Sequence, residues 1–121
     1  MYDDFNYKMV IGIRTDLGIS KGKAAVLASQ VAVLCSEEAK KSKIDWLKHW
    51  FSEGQKKVVV QIPSHEEMIN LHKKAQQYNF SCAIIENLKI IDYLRDSILA
   101  IAIGPAPNDK IDKLTADYKL L

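Results

Sequence analysis

The residues that first suggest chemistry are lysines. Lys21 and Lys23 form one pair, Lys40, Lys41, Lys43 and Lys48 a second group, and Lys56 and Lys57 a third. Residues 1–60 hold ten Lys/Arg against seven Asp/Glu, while residues 61–121 hold seven against eight, so basic charge gathers in the first half. Clustered ammonium groups can replace the counterions condensed on a nucleic-acid backbone. Glu37, Glu38, Asp45 and Glu53 interrupt the run, which keeps an ordinary solvated face as the competing reading. His49, His65 and His72 have no partner at i, i+4 and no neighbouring cysteine, which argues against a metal site. Cys35 and Cys82 are too few for a disulfide framework and stand in no CxxC motif. They read as small buried hydrophobes of a reducing compartment. Trp46 and Trp50, at i and i+4, fit packing in a core or a dimer better than stacking on a base.

These groups need a scaffold. A chain of 121 residues with 48% hydrophobic and 26% charged residues points to one folded domain over residues 1–121, with residues 1–7 as an N-terminal extension. Wholesale disorder is excluded by that composition. No uninterrupted apolar run reaches the roughly 18 residues of a membrane span. The opening MYDDFNYKMV carries acids where a secretory signal would be basic, so a cytoplasmic protein without a membrane role is expected.

Hydrophobic patterning places the elements. Tyr7–Ile13 reads as a buried strand, and Ser20 can cap a helix running to about Ala39. That helix is apolar on most sides (Ala24, Val26, Leu27, Val31, Val33, Leu34), so it is expected to be buried all round. Ser42 can cap a shorter helix ended by Gly54, a residue suited to the left-handed turn after a helix. Lys57–Ile62 is a second strand closed by Pro63, and Ser64 with Glu67 has the spacing of a capping box for a helix to about Tyr78. Ser81–Ile85 and Ile98–Ile103 are further strands, the latter ended by Gly104–Pro105, and Asn108 can cap a last helix over Asp109–Leu114. The segment Glu86–Ser97 carries no pattern that assigns it. The order β-α-α-β-α-β-β-α implies crossovers, hence an α/β domain with a mixed sheet covered on both faces. Sites in such sheets gather at the carboxyl ends of strands, which directs attention to the loop Arg14–Lys23.

Three blocks now carry a resemblance. KMVIGIRTDLGISKGKAA, then W-x₃-W-x₃-GQKKVVVQI, then IAIGPAPNDKIDKLTADYKLL resemble the type 2 peptidyl-tRNA hydrolases of archaea and eukaryotes, over roughly Lys8 to Leu121. The resemblance implies a three-layer α/β domain with a four-stranded mixed sheet, often assembled as a homodimer. It implies cleavage of the ester between a peptide and the 3′ end of tRNA, with no cofactor and no metal. The family's functional lysine falls on Lys23 in the turn Ser20-Lys21-Gly22-Lys23, and Arg14, Thr15 and Asp16 are retained. The helical Gln falls on Leu27 and the helical His on Gln30. The Asp of the loop after the third strand falls on Asn87, that loop's Gln falls on Asp92, and the Thr before the last strand falls on Ser97. The scaffold therefore matches, while much of the usual site is substituted.

Ester hydrolysis needs an oriented water, a group to take its proton and donors for the oxyanion. Lys23, beside a helix N-terminus, can supply the last. Asn87 and Gln30 are amides that orient water but accept no proton at neutral pH. Asp16 and Asp92 are the remaining carboxylates, each with a plain turn or solvated-loop role as its competitor. Ser97 can donate a hydrogen bond or serve only the strand edge. The expected catalytic set is Lys23, Asn87, Ser97 and Asp16, with Lys21, Gln30, Arg14, Lys56 and Lys57 holding the tRNA. A working hydrolase of weakened activity and a non-catalytic tRNA- or protein-binding module both follow from these residues.

Overall fold

Apolar side chains on both faces make β1 (Tyr7–Arg14) a central strand. Met9, Ile11 and Ile13 enter one hydrophobic cluster and Val10 enters the other. Gly12 lets a neighbour come close: a Cβ there would lie 2.7 Å from Ile62 Cγ1 and 3.0 Å from Ile101 Cγ2. The computed structural model describes residues 5–87 and 97–121. After β1 come α1 (Lys21–Ser42), α2 (Ile44–Glu53), β2 (Lys57–Ile62), α3 (His65–Gln77), β3 (Cys82–Asn87), β4 (Ser97–Pro107) and α4 (Asn108–Thr115). This is the expected order.

The sheet order is β2-β1-β4-β3. β1 runs parallel to β2 and antiparallel to β4, and β4 runs antiparallel to β3. One end of the sheet therefore collects the carboxyl ends of β1, β2 and β3 with the amino end of β4. Helices α1 and α2 close one face around Leu27, Val31, Leu47 and Trp50. Helices α3 and α4 close the other around Met68, Leu71, Ala75 and Ile111. The domain is thus an α/β three-layer sandwich, as the alternation of elements requires. The terminal residues cover the open edge of β2: Gln61 donates its amide to the Lys119 carbonyl at 2.8 Å, and Leu121 to Val59 at 2.9 Å.

Several local expectations are corrected. α1 is not buried all round: Ala24, Leu27, Val31, Ala32, Cys35 and Ala39 form its inner stripe, while Val33 is 63% exposed and Val26 and Leu34 are also open. Composition alone cannot tell a helix between two layers from one with a single partner layer. Ser42 caps nothing, because α1 runs through it and Lys43 is the hinge to α2. β4 does not stop at Gly104–Pro105 but continues to Pro107, pairing Ala106 with Lys8 past an irregularity in register. Asn108 does not cap α4; its side-chain amide donates to the Phe5 carbonyl at 2.6 Å and ties the first residues to the sheet. Ser20 and Ser64 do cap, accepting from the amides of Lys23 and Glu67. Gly54 takes the left-handed conformation after α2. Among the described residues no helix is long and apolar enough to cross a membrane.

Cys35 bears out its reading as a buried hydrophobe. Its thiol faces the carbonyls of Ala102 at 3.4 Å and Gly104 at 3.1 Å, and burial pushes its pKa far up. Cys82 is half-buried and shifted the same way by burial. Trp50 is a core residue, whose ring nitrogen donates to the Lys56 carbonyl at 2.8 Å. Trp46 is half-buried against Phe80.

Candidate active site

At the carboxyl end of β1 the chain places a guanidinium where water barely reaches. Arg14 is 4% exposed. A buried cation must be paired and hydrogen-bonded, and Asp16 does both. Arg14 Nε donates to Asp16 Oδ1 at 2.6 Å and Nη2 to Oδ2 at 2.7 Å. The third donor, Nη1, reaches the Ile98 carbonyl at 3.3 Å, next to Ser97. The guanidinium fork thus clamps the exit of β1 to the entry of β4. Hydrogen bonds from Arg14 hold the Asp16 carboxyl below its ordinary range. Thr15 joins its amide to the Ile62 carbonyl at 3.0 Å, fixing the same loop to β2.

Register brings two further residues to this end. Asn87 and Ser97 are direct partners across the β3–β4 pair. Ser97 is 9% exposed, two residues before Leu99, which belongs to the cluster under α1. Strand alternation puts Ser97 on that same face.

Lys23 belongs to this end by a different route. Ser20 starts α1 six residues after β1 finishes, and Cys35 meets the carbonyls of Ser81 and Gly104 at the far end of the sheet. α1 therefore runs back along the strands with its first turn above the strand ends. Helical spacing puts Lys23 and Gln30 on one flank of its buried stripe. The other flank, with Ala25, Ser29 and Ser36, faces Phe51 of α2 and Lys57 of β2. The Lys23 flank is consequently the one turned toward β3, whose last residue is Asn87. Lys21, Lys23 and Gln30 are exposed, and Leu27 between them is buried.

Not every expected residue joins them. Lys56 and Lys57 precede and begin β2, at the opposite end of the sheet, about 17 Å from Ile62 along the strand. Lys57 holds its ammonium 5.0 Å from the Trp50 ring centroid and donates to the Gln55 carbonyl at 3.3 Å. Asp92 lies outside the described residues. One residue was missed by sequence reasoning. His65 opens α3 directly after β2, near enough to Asp16 to lower that carboxyl's pKa, and its Nε2 is sealed from solvent with no hydrogen-bond partner among the described residues. Its position just past the carboxyl end of a strand parallel to β1 was the available signal. Among the described residues no group of three or more His, Cys, Asp and Glu is placed to hold a metal ion.

Known proteins share this chain over nearly all its length. Residues 7–121 match the family described as Peptidyl-tRNA hydrolase PTH2. A peptidyl-tRNA hydrolase of Thermococcus onnurineus is 39% identical over 117 residues, covering 97% of this chain and 99% of the relative. One of Staphylothermus marinus is 38% identical over 121 residues and covers 100% of both chains. One of Methanocaldococcus jannaschii is 38% identical over 114 residues, 94% of this chain and 99% of the relative. With a family match from the first strand to the last residue and relatives of the same length, the chain belongs to the Peptidyl-tRNA hydrolase PTH2 family.

Proposed function

We propose that this chain hydrolyses the ester joining a peptide to the 3′ end of tRNA, at the sheet end defined by Arg14, Asn87, Ser97 and the first turn of α1. The observation that carries this reading is Lys23 on the capped first turn of α1, on the flank turned toward β3, within a chain of full-length family kinship. A cation there adds to the partial positive charge of the helix amides, and together they stabilise an oxyanion forming on the ester carbonyl. Ser97 supplies a hydroxyl donor from the opposite wall.

Water activation falls to weaker groups than the family pattern uses. Leu27, Gln30 and Asn87 stand where the resemblance expects a Gln, a His and an Asp, so this is an altered site. Asp16 stays ionised at neutral pH. Its two oxygens each give a lone pair to Arg14, and the carboxylate, still 36% exposed, keeps others to order a water. Asn87 orients the same water, and Lys21 and Gln30 flank the acceptor end of the tRNA. Arg14 positions Asp16 and the start of β4. Lys56 and Lys57 meet the RNA away from the reacting ester. The loss of an imidazole or carboxylate base typically costs on the order of 10²–10⁴ in rate, so turnover below that of unsubstituted relatives is part of the proposal.

A cytoplasmic location and a homodimer complete the reading. The dimer is supported by the apolar outer face of α1, where Val26, Val33 and Leu34 are exposed and Val33 shares a groove with Phe51 of α2. Peptide release from a purified peptidyl-tRNA tests the function. Wild-type protein releases peptide, and Lys23→Ala lowers the rate by about 10²–10³, the usual cost of removing one oxyanion donor. No release above buffer at micromolar enzyme overturns the hydrolase reading and leaves a non-catalytic tRNA- or protein-binding role.

A further inference from the structure

At the end of the sheet away from the active site, aromatic side chains from α2 and from the connection between α3 and β3 meet in a cleft of about 270 Å³. Trp46 of α2, Tyr78 at the end of α3 and Phe80 before β3 line it, with Leu114 of α4 beneath. The Trp46 and Phe80 rings lie 6.4 Å apart at 42°, leaving an open wedge in place of a closed stack. Tyr78 is 66% exposed, although its ring could bury more than most side chains. Lys110 and Lys113 stand on the rim, and the Lys43 ammonium sits 4.9 Å from the Trp46 centroid. Among the described residues no wall residue is acidic. Asp45 shares a neighbouring hollow with Trp46 and Lys43, Lys113 also borders a hollow that holds Glu67 and Asp117, and Asp112 of α4 is paired with Lys8.

Flat π surfaces ringed by ammonium groups complement one kind of guest: a planar ring system carrying negative charge. An unpaired nucleotide has both parts, a base to stack and phosphates to pair. The volume falls just under the range of roughly 300–1,000 Å³ usual for organic ligands, which suits a single inserted base better than a larger molecule. We infer that this cleft is a second RNA contact, stacking one unpaired base of the tRNA between Tyr78 and Trp46 while Lys43, Lys110 and Lys113 hold the flanking phosphates. The inference rests on tRNA being the substrate. β4 connects the two ends, its 11 residues spanning about 34 Å from Ser97 to Pro107. A tRNA held at both would have its acceptor end oriented by a contact far from the chemistry.

Single-stranded octa-adenylate RNA is the direct probe. Trp50 is 1% exposed, so quenching of tryptophan fluorescence by the RNA reports on Trp46. Saturable quenching is expected, with affinity about 10-fold weaker in Tyr78→Ala, within the usual contribution of one stacked base. Lys110→Gln should flatten the log–log salt dependence by about 0.7, the value for one phosphate contact on a single strand. In peptide release, Tyr78→Ala should raise KM for peptidyl-tRNA about 10-fold, whereas Lys73→Gln, on the exposed side of α3, should not. Thermal unfolding of each variant checks that the fold is intact. Absent quenching, equal affinity in Tyr78→Ala, or weakening of self-association by that variant in sedimentation overturns the inference. Peptide release with an unchanged KM in Tyr78→Ala refutes only the cleft. A wild-type protein that releases no peptide refutes the hydrolase reading, and octa-adenylate binding still decides the cleft.

Discussion

Asp16→Ala should destabilise this protein more than Arg14→Met does, although Asp16 is the more exposed partner. The Arg14 side chain is 4% exposed and that of Asp16 36%. Removing the carboxylate strands a guanidinium in a place that water barely reaches, its remaining bond among the described residues being the 3.3 Å contact to the Ile98 carbonyl. Breaking a fully buried pair in this way costs about 3–5 kcal/mol. Solvent at the Asp16 side screens part of this, so about 2–3 kcal/mol is expected for Asp16→Ala. Arg14→Met keeps the length and apolar volume of the side chain and leaves a carboxylate that water can solvate, so about 1 kcal/mol is expected. The double variant should then resemble Arg14→Met, giving a coupling of about 2–3 kcal/mol in the cycle. Urea unfolding at pH 7 measures all four proteins, and unchanged m-values confirm that the midpoint shifts report stability. An Asp16→Ala cost no larger than that of Arg14→Met, or strict additivity, would refute the argument that burial of the guanidinium dominates this corner. The same pair has a pH signature. Arg14 depresses the Asp16 pKa, so its contribution is fully present above the ordinary value of 3.8 and is lost as pH falls through the depressed one. Asp16→Asn should therefore flatten the acid limb of stability, with wild type and variant converging at low pH.

Three other outcomes test separate parts of the structure. Gln30→His with Asn87→Asp should raise the rate of peptide release by about 10²-fold if an imidazole and a carboxylate restore water activation; a rate unchanged from wild type would show that the altered site does not limit turnover. Gly12→Ala should cost about 1–3 kcal/mol, since its methyl would press on Ile62 and Ile101 in the sheet interior, and a neutral midpoint in urea would contradict that packing. Iodoacetamide at pH 8 should modify Cys82 before Cys35, because burial raises both thiols and seals Cys35 almost completely; mass spectrometry showing early label on Cys35 would disprove the burial argument.

Much of the scaffold was legible in the residues because its signals are local. Ser20 and Ser64 cap helices through their own side chains, Gly54 supplies a left-handed turn, and Lys57–Ile62 is a strand by its β-branched run. Two crossovers between strands then required a layered α/β domain. The misread junctions share a cause. Ser42 and Asn108 have the chemistry of helix caps, yet α1 continues through Ser42 and the Asn108 amide is drawn to Phe5, 103 residues away. Such competition is decided by distant partners.

The candidate site divides along the same line. Lys23, Asn87 and Ser97 were singled out through resemblance to a family, and the Arg14–Lys23 loop through its place after a strand. Neither source could tell that Arg14 is buried and aims its guanidinium at Asp16 and the Ile98 carbonyl. Nor could they tell that Lys56 and Lys57 lie at the far end of the sheet, because strand direction is a property of pairing and β2 turned out parallel to β1. The Trp46–Tyr78–Phe80 cleft was invisible for the same reason: its members are close only after the layers pack. Local chemistry, written in neighbouring residues, determined the elements and the kinship of this protein. Which charges are sealed, paired or left facing water was decided by tertiary structure, since burial depends on what the rest of the chain lays on top.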